Sequence, residues 1–424
     1  MNPLYNAGIN LYSCAARVAG AFSEKPRIMV EGQKETLDYL THALASDKRP
    51  VKLWMHVASL GEFEQGRPIL ERFRAAYPDC RMLVTFFSPS GYRSAIKHSN
   101  DSLLMAYLPF DTPANAKAMV NLIHPEMAIF VKYEFWGNYL HALADAGVPT
   151  YLVSAVFRPG QIFFRPWGGE FRSMLRCFKH IYLQDEASKQ LLAGIGIDNT
   201  TVAGDTRFDR VTTIRSNCKA LPAIDIFTAN AKGSFTLVAG SSWGRDEAVY
   251  FPTLAAMPDV SAIIAPHEFD KSRLDEMLKS LGPEAMLYTD FEQLMKSDPT
   301  AAAERARSLR FLIVNTFGLL SSIYRYADTA YIGGGFGAGI HNINEAAVYG
   351  IPVAFGPRHE KFIEARELIA AGGGFEIKDA ASFEATMQGL TSDSEHRHRA
   401  AIAAGQYIAS KIGATDRICA ELIP

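Results

Sequence analysis

LWMHVASLGEFEQGRPIL, residues 53–70, decides the fold class. An apolar, β-prone run ends near Ala58, the chain turns through Ser59, Leu60 and Gly61, and a helix starts with Glu62 in its first turn. The same rhythm recurs along the chain. Short apolar runs at 51–58, 81–88, 103–109, 127–134, 150–157 and 180–185 alternate with helix-length segments, as expected of strands buried on both faces of a parallel sheet. A second series follows at 236–241, 261–266, 285–289, 310–315, 329–333 and 352–356. The expectation is an α/β chain of two doubly wound sheets. Between them, residues 206–234 lose the strand signal around Pro222, which places the linker at 211–234. Ligands should lie beyond the carboxyl ends of the strands, in a cleft between the domains.

Length and composition agree with two domains. The chain has 424 residues, more than one core usually serves, with 48% hydrophobic and 21% charged residues and a formal net charge of −2. That balance argues against a nucleic-acid-coating protein. Five scattered cysteines without CxxC spacing argue against a disulfide framework and a zinc site, and fit a reducing cytoplasm. No signal peptide and no bilayer-spanning run is legible. Residues 1–22 are expected to form an amphipathic helix, with Leu4, Leu11, Ala15, Val18 and Phe22 on one face and Asn6, Asn10 and Arg17 interrupting the run. Two readings stay open for it: packing on the body of the protein, or contact with a membrane surface.

Several side chains sit where chemistry is done. Glu62, at a helix start, faces the positive end of the helix, which favours the ionised form that a general base needs; it is equally a favourable helix-start residue. Glu134, in FVKYEFWGN (130–138), follows a buried run and precedes two aromatics, suiting substrate hydroxyls, developing positive charge or a structural ion pair. VAGSSWGRDE (238–247) and IIAPHE (263–268) end strands in small or polar turns whose N–H groups suit phosphate. In YIGGGFGAGIHNINEAAVYGIPVAFGP (331–357), glycines let backbone approach a ligand, the helix start at 341–346 suits a phosphate, and Glu345 suits ribose hydroxyls. The spacing is not GxGxxG, and a structural turn explains it as well. No HxH, HExxH or DxD pattern is present, so no metal is expected. Residues 158–179 interleave Arg158, Arg165, Arg172, Arg176 and Lys179 with Phe163, Phe164 and Trp167. That stretch suits anionic lipid or a phosphorylated acceptor, or is a solvated helix face.

Nine segments in order, ASLGE (58–62), TFFSPSG (85–91), LPFDTP (108–113), YEFWGN (133–138), AGDTRFDRV (203–211), AGSSWGRDE (239–247), APHE (265–268), TFGLLSSIY (316–324) and GIHNINEAAVYGIPVAFGP (339–357), carry a resemblance. Together they resemble the bacterial 3-deoxy-D-manno-octulosonic acid (Kdo) transferases of lipopolysaccharide assembly. The resemblance implies a GT-B fold of two Rossmann-like domains, CMP-Kdo as donor, lipid A precursor (lipid IVA) as acceptor, and inversion at the anomeric carbon. It further implies a peripheral protein on the cytoplasmic face of the inner membrane, in contact with an anionic surface. By motif position Glu62 matches the general base, and Glu134 and Arg207 match groups that stabilise the transition state. The donor side takes Ser241, Ser242, His267, Glu268, Phe317, Gly318, Leu319, Asn342, Ile343, Asn344 and Glu345. The acceptor side takes Ser59, Gly61, Ser88 and Gly91. The implied division is an acceptor domain at 23–210, a CMP-sugar domain at 235–400 and a C-terminal helix at 401–424 that packs back on the first domain.

The chain departs from the family at several points. His267 and Glu268 stand where Arg and His are usual, Leu319 replaces an acidic residue, Gly137 follows Trp136 where Pro is frequent, and Arg207 replaces a common Lys. Two rival classes share the pattern: a nucleotide-sugar epimerase, which isomerises donor without lipid, and a non-catalytic sugar-nucleotide-binding module, which tolerates loss of Glu62.

Overall fold

Each of two contact units is built round one parallel seven-stranded sheet. In this computed structural model, which describes residues 3–423, the first unit comprises the chain up to Arg210 together with the segment from Ile412, and the second runs from Val211 to Lys411. The strands of the first unit are β1 Val51–Val57, β2 Arg81–Phe86, β3 Leu103–Tyr107, β4 Ala128–Val131, β5 Thr150–Ala155, β6 His180–Leu183 and β7 Thr200–Val202. Their spatial order is β3-β2-β1-β4-β5-β6-β7. The side chains of β1 alternate between two cores. Trp54 packs with Leu83, Phe130 and Leu152 on one face, and Leu53 and Met55 pack with Val84, Ile129 and Val153 on the other. Burial on both faces explains why these strands read as unbroken apolar runs.

The second unit contains β8 Phe235–Ser242, β9 Val260–Pro266, β10 Ala285–Leu287, β11 Phe311–Ile313, β12 Thr329–Ile332, β13 Val353–Phe355 and β14 Gly374–Glu376, in the order β10-β11-β9-β8-β12-β13-β14. Each sheet reverses its winding once, between β1 and β4 in the first and between β8 and β12 in the second. Those reversals leave a crevice at the strand ends where ligands bind.

Strands β7 and β14 lie outside the expected series. Each is a three-residue edge strand, TTV or GFE, too short to show a pattern. Residues 211–234, read as linker, are largely helical: one helix spans Thr206–Ser216 and another Pro222–Asn230, the second burying Ala223, Ile224 and Phe227. The loss of strand signal there marks helix. The C-terminal stretch 401–424 is broken at Gly413, whose φ of +96° ends one helix (Ser394–Lys411) before the next (Ala414–Leu422) begins.

Six helices of the first unit matter below: α1 Pro3–Gly20, α2 Glu24–Ser46, α3 Leu60–Ala76, α4 Pro89–Ala95, α5 Pro113–Ile123 and α6 Gly137–Asp145. The polar residues of α1 are docking groups. Tyr5 donates to Asp111 at 2.6 Å and accepts from the Gly137 N–H, and Asn6 accepts from the Asn138 amide at 2.9 Å. Ser13 and Ala16 are buried, whereas Leu4, Leu11, Val18 and Phe22 remain 60–88% exposed. The helix therefore packs on the body with one side and presents an apolar row on the other. No described helix is long and apolar enough to cross a membrane.

Candidate active site

Glu62 and Glu134 follow β1 and β4, the two strands that flank the winding reversal of the first sheet. Ser59 adopts an extended backbone as N-cap of α3, and its hydroxyl hydrogen-bonds Glu62 Oε2 across one turn. The other carboxylate oxygen makes no hydrogen bond among the described residues, which leaves it acceptor capacity. Gly91, in α4, is buried against this turn: a Cβ there would stand 2.9 Å from Leu60 N and 3.0 Å from Ser59 C. Among the expected acceptor residues, Gly91 thus supports the turn that holds Ser59 and Gly61. The Ser88 hydroxyl is shared with Ser90 at 2.9 Å.

Glu134 is 9% exposed, and Oε2 accepts from the Trp136 indole at 2.7 Å and meets His56 Nε2 at 3.1 Å. His56 is wholly buried, with Nδ1 3.0 Å from the Thr85 hydroxyl. The partners pull the ring both ways: Glu134 Oε2 calls for a proton on Nε2, whereas the Thr85 carbonyl, 3.1 Å from Nδ1, and the Trp136 indole, 3.0 Å from Nε2, call for one on Nδ1. His56 lies within the opening motif, yet a histidine inside an apolar strand carries no signal until the next strand shows what it faces. Lys132, two residues before Glu134, has a left-handed φ of +68°, a backbone state that non-glycine residues hold only where surroundings enforce it.

Arg207 starts the segment that closes the first unit. Its guanidinium pairs with Asp205 through Nε at 2.8 Å and Nη2 at 2.7 Å. Asp205 also accepts from Gln65 of α3 at 3.0 Å, and Thr206 donates to the Gln65 carbonyl at 2.6 Å. Burial pushes the Asp205 pKa up, but the Arg207 charge and hydrogen bonds outweigh it and the acid stays below its usual range. One anchored carboxylate thus ties Arg207 to the helix that bears Glu62.

In the second unit Ser241 and Ser242 end β8 and Asn342 to Glu345 follow β12, the two strands at the other winding reversal, whereas His267 and Glu268 follow β9 and Phe317 to Leu319 follow β11. Ser241 has a left-handed φ of +52°. The Ser242 hydroxyl is committed to Glu247 at 2.7 Å, which leaves that side chain occupied rather than offered to a phosphate. The first glycines of the 333–339 loop serve protein packing: a Cβ at Gly333 would stand 2.2 Å from Ser241 O, and one at Gly335 2.5 Å from Gly356 Cα. Ligand approach is not what requires glycine at these two positions. Buried Asp246 fastens the loop, accepting from the N–H groups of Gly334 and Trp243 at 2.9 Å and from the Tyr331 hydroxyl at 3.0 Å.

Trp243, His267 and His341 form a stack, with centroids 4.6 Å apart for the first pair and 4.4 Å for the second. The Trp243 indole donates to His341 Nε2 at 3.2 Å. Burial, and then the neighbouring His267, depress the His341 pKa. Glu268 is exposed beside the stack, and Phe317 is 77% exposed, packing on Phe269 with 4.7 Å between centroids. Gly318 has a φ of +80°, and its carbonyl accepts from Lys219 at 3.2 Å, next to Leu319. The helix expected over 341–346 is only the turn Asn344–Ala347, preceded by buried Ile343. Asn342 donates to Glu345 at 3.1 Å, and Asn344 is fully buried with both amide atoms unpartnered.

The basic and aromatic stretch 158–179 divides in the structure. Phe163 is buried in the first core, Arg172 donates to the carbonyls of Phe163 and Arg165 at 3.0 and 2.9 Å, and Trp167 stands 71% exposed.

Residues 31–210 match the family described as 3-Deoxy-D-manno-octulosonic-acid transferase (kdotransferase). Similar curated proteins include the 3-deoxy-D-manno-octulosonic acid transferase of Haemophilus influenzae, 24% identical over 90% of this chain and 88% of its own length. That of Bordetella pertussis is 26% identical over 86% of this chain and 85% of its length. Among solved structures, UDP-GlcNAc 2-epimerase from Neisseria meningitidis bound to UDP-GlcNAc superposes with a TM-score of 0.58 at 15% identity, covering 88% of this chain and 100% of that one. MurG of Acinetobacter baumannii gives 0.54 at 11%, covering 88% and 99%. These likenesses show the GT-B fold and, at such identities, nothing of the substrate.

Proposed function

We propose that this chain, whose residues 31–210 match the Kdo transferase family of glycosyltransferases, moves Kdo from CMP-Kdo to a glucosamine hydroxyl of lipid A precursor (lipid IVA), with inversion and with Glu62 as general base. The observation that carries this reading is the first turn of α3, where Ser59 holds one oxygen of Glu62 and the other has no partner among the described residues. In the reaction that oxygen takes the acceptor hydroxyl proton as the acceptor oxygen bonds to the anomeric carbon. The anomeric carbon–phosphate bond breaks, and its electron pair leaves with CMP. Glu134, oriented by His56 and Trp136, faces the positive charge that develops on the sugar. Arg207, held by Asp205, meets donor carboxylate or phosphate. The donor is taken at the strand ends of the second unit, by Ser241 and Ser242 through their backbone, by His267 and Glu268, by Phe317 to Leu319, and by Asn342 to Glu345. No metal is assigned to the step, and transfer should persist in EDTA.

The apolar row of α1 supports peripheral contact with an anionic membrane at the cytoplasmic face of the inner membrane. Replacing Leu11, Val18 and Phe22 by Ser leaves the docking groups Tyr5 and Asn6 in place; unchanged co-sedimentation with anionic liposomes would count against that contact.

The deciding experiment incubates the protein with CMP-Kdo and lipid A precursor and weighs the lipid. A mass gain of one or more Kdo units supports transfer, while an isomerised sugar formed without lipid supports an epimerase. Glu62→Gln should fold normally and lose transfer by about 10²-fold or more; near-normal activity would remove Glu62 from the mechanism.

A further inference from the structure

A pocket of about 160 Å³ opens in the first unit between α1, α2 and the turn that follows β3. Arg17 of α1 and Lys34 of α2 line it, and none of its lining residues is acidic. Neither cation has an ion-pair partner among the described residues. Gln33, also lining it, is 5% exposed, and both Nε2 and Oε1 are buried without a hydrogen-bond partner. An amide shut away from water costs stability unless something bonds to it, so the protein alone does not account for glutamine at this position. Apolar Val30 and Phe110 complete the argument: two cations, an unmet amide and an apolar wall suit an anionic group carried on a less polar body.

The wall leads toward the candidate active site. Phe110 meets Tyr12 edge-on at 5.9 Å, Tyr12 stacks on Phe87 at 6.3 Å, and Phe87 packs on Trp136 at 5.1 Å, the same Trp136 that donates to Glu134. Aromatic faces in a row accept sugar rings and acyl chains while excluding water. Arg17 belongs to α1, the helix that also presents the apolar row read as lipid-facing.

We propose that this pocket is a subsite for a phosphate monoester of the acceptor lipid, with Arg17 and Lys34 as counter-charges and the Gln33 amide as hydrogen-bond donor. The assignment rests on the reading of the acceptor as a phosphorylated glucosamine lipid, and it adds a phosphate-reading function to residues that no motif marks.

The test uses the full chain and two probes that need neither donor nor membrane, glucosamine 1-phosphate and inorganic phosphate, followed by calorimetric titration. Arg17→Ala combined with Lys34→Ala should weaken binding of the phosphosugar by about tenfold or more. Gln33→Met, similar in volume and without the amide, should weaken binding and at the same time raise the melting temperature of the unliganded protein. A merely structural Gln33 would give a lower melting temperature with unchanged binding, which overturns the proposal. Inorganic phosphate bound as tightly as the phosphosugar also overturns it, because the pocket would then read a free anion or hold only solvent. In detergent micelles the double variant should raise KM for the phosphorylated acceptor by about tenfold with kcat little changed, and leave an acceptor lacking phosphate unaffected. Equal losses on both acceptors overturn the subsite. If the wild-type chain transfers to neither lipid, the reading of its function fails, and the titration by itself decides the pocket.

Discussion

Glu134 is nearly buried, with the Trp136 indole and the His56 imidazole against one carboxyl oxygen. Replacing His56 by Leu removes the imidazole and leaves the carboxyl group with the Trp136 indole alone. Removing a hydrogen-bond partner from a buried polar group costs about 1–3 kcal/mol, which urea unfolding measures directly. Because the imidazole positions Glu134 without touching substrate, kcat should fall while KM for donor changes little; an unchanged kcat in the folded variant would assign His56 to packing only. The glycines of the neighbouring turn separate in the same way. Gly91→Ala drives a Cβ to 2.9 Å from backbone nitrogen of Leu60, a contact that cannot relax by rotating a side chain. It should destabilise by about 1–3 kcal/mol and displace the turn that carries Glu62. Gly61→Ala meets nothing nearer than Ser59 Oγ at 3.7 Å, and alanine is the better helix former, so its melting temperature should hold or rise. An acceptor KM raised by Gly61→Ala, without loss of stability, would show that the acceptor approaches this backbone.

The element most dependent on distant partners is α1, and its anchor is Asp111. That carboxylate accepts from Tyr5 at 2.6 Å, from Asn138 N at 3.1 Å and from Tyr139 N at 3.0 Å, so it caps the start of α6 while tying α1 to it. Burial outweighs these donors and raises its pKa from 3.8 to about 6. A raised acid binds its proton more readily in the folded state, so this group adds stability as pH falls from 6 toward 4 and withdraws it as pH rises through 6. At about 1.4 kcal/mol per unit the swing is about 3 kcal/mol. Unfolding of the wild type and of Asp111→Asn should therefore differ by an amount that shifts in favour of the wild type between pH 6 and pH 4; a constant difference would show that Asp111 does not titrate in this range. The sequence marked α1 as amphipathic, and it showed the apolar row correctly, because helical spacing is a local property. It did not show that Tyr5 and Asn6 are docking groups, since their partners lie more than 100 residues away. The same limit hid His56, whose partner Glu134 follows the neighbouring strand β4, and the packing role of Gly333, whose neighbours come from β8.

At the scale of the molecule, the alternation of apolar runs and helices was enough to reveal twelve of the strands and two parallel sheets, because strands buried on both faces are written as continuous apolar sequence. Chain order alone does not reveal which strands are neighbours at the two winding reversals, and those reversals are what set β1, which leads into the turn of Glu62, beside β4, which leads to Glu134, and the Ser241 turn near the glycine-rich loop. The units also differ in how they are closed. The second is one continuous segment, Val211–Lys411, whereas the first is completed by the segment from Ile412. In that segment Ile418, Cys419 and Leu422 enter the core with Leu53, Met55 and Ile129. Asp209 accepts from the N–H groups of Gly413 and Thr415, both at 2.6 Å, and Arg417 donates to the Ala203 carbonyl at 2.9 Å. Ending the chain at Lys411 should thus damage the first unit and spare the second. At about 1.5–3 kcal/mol for each aliphatic side chain, together with the lost hydrogen bonds, the cost to the first unit is about 5 kcal/mol. Hydrogen exchange measures each unit separately. Faster exchange confined to β1, β2, β3 and α3, with β8, β9 and β12 as protected as in the full chain, is the expected outcome; equal loss of protection in both sheets would mean that the two units unfold as one.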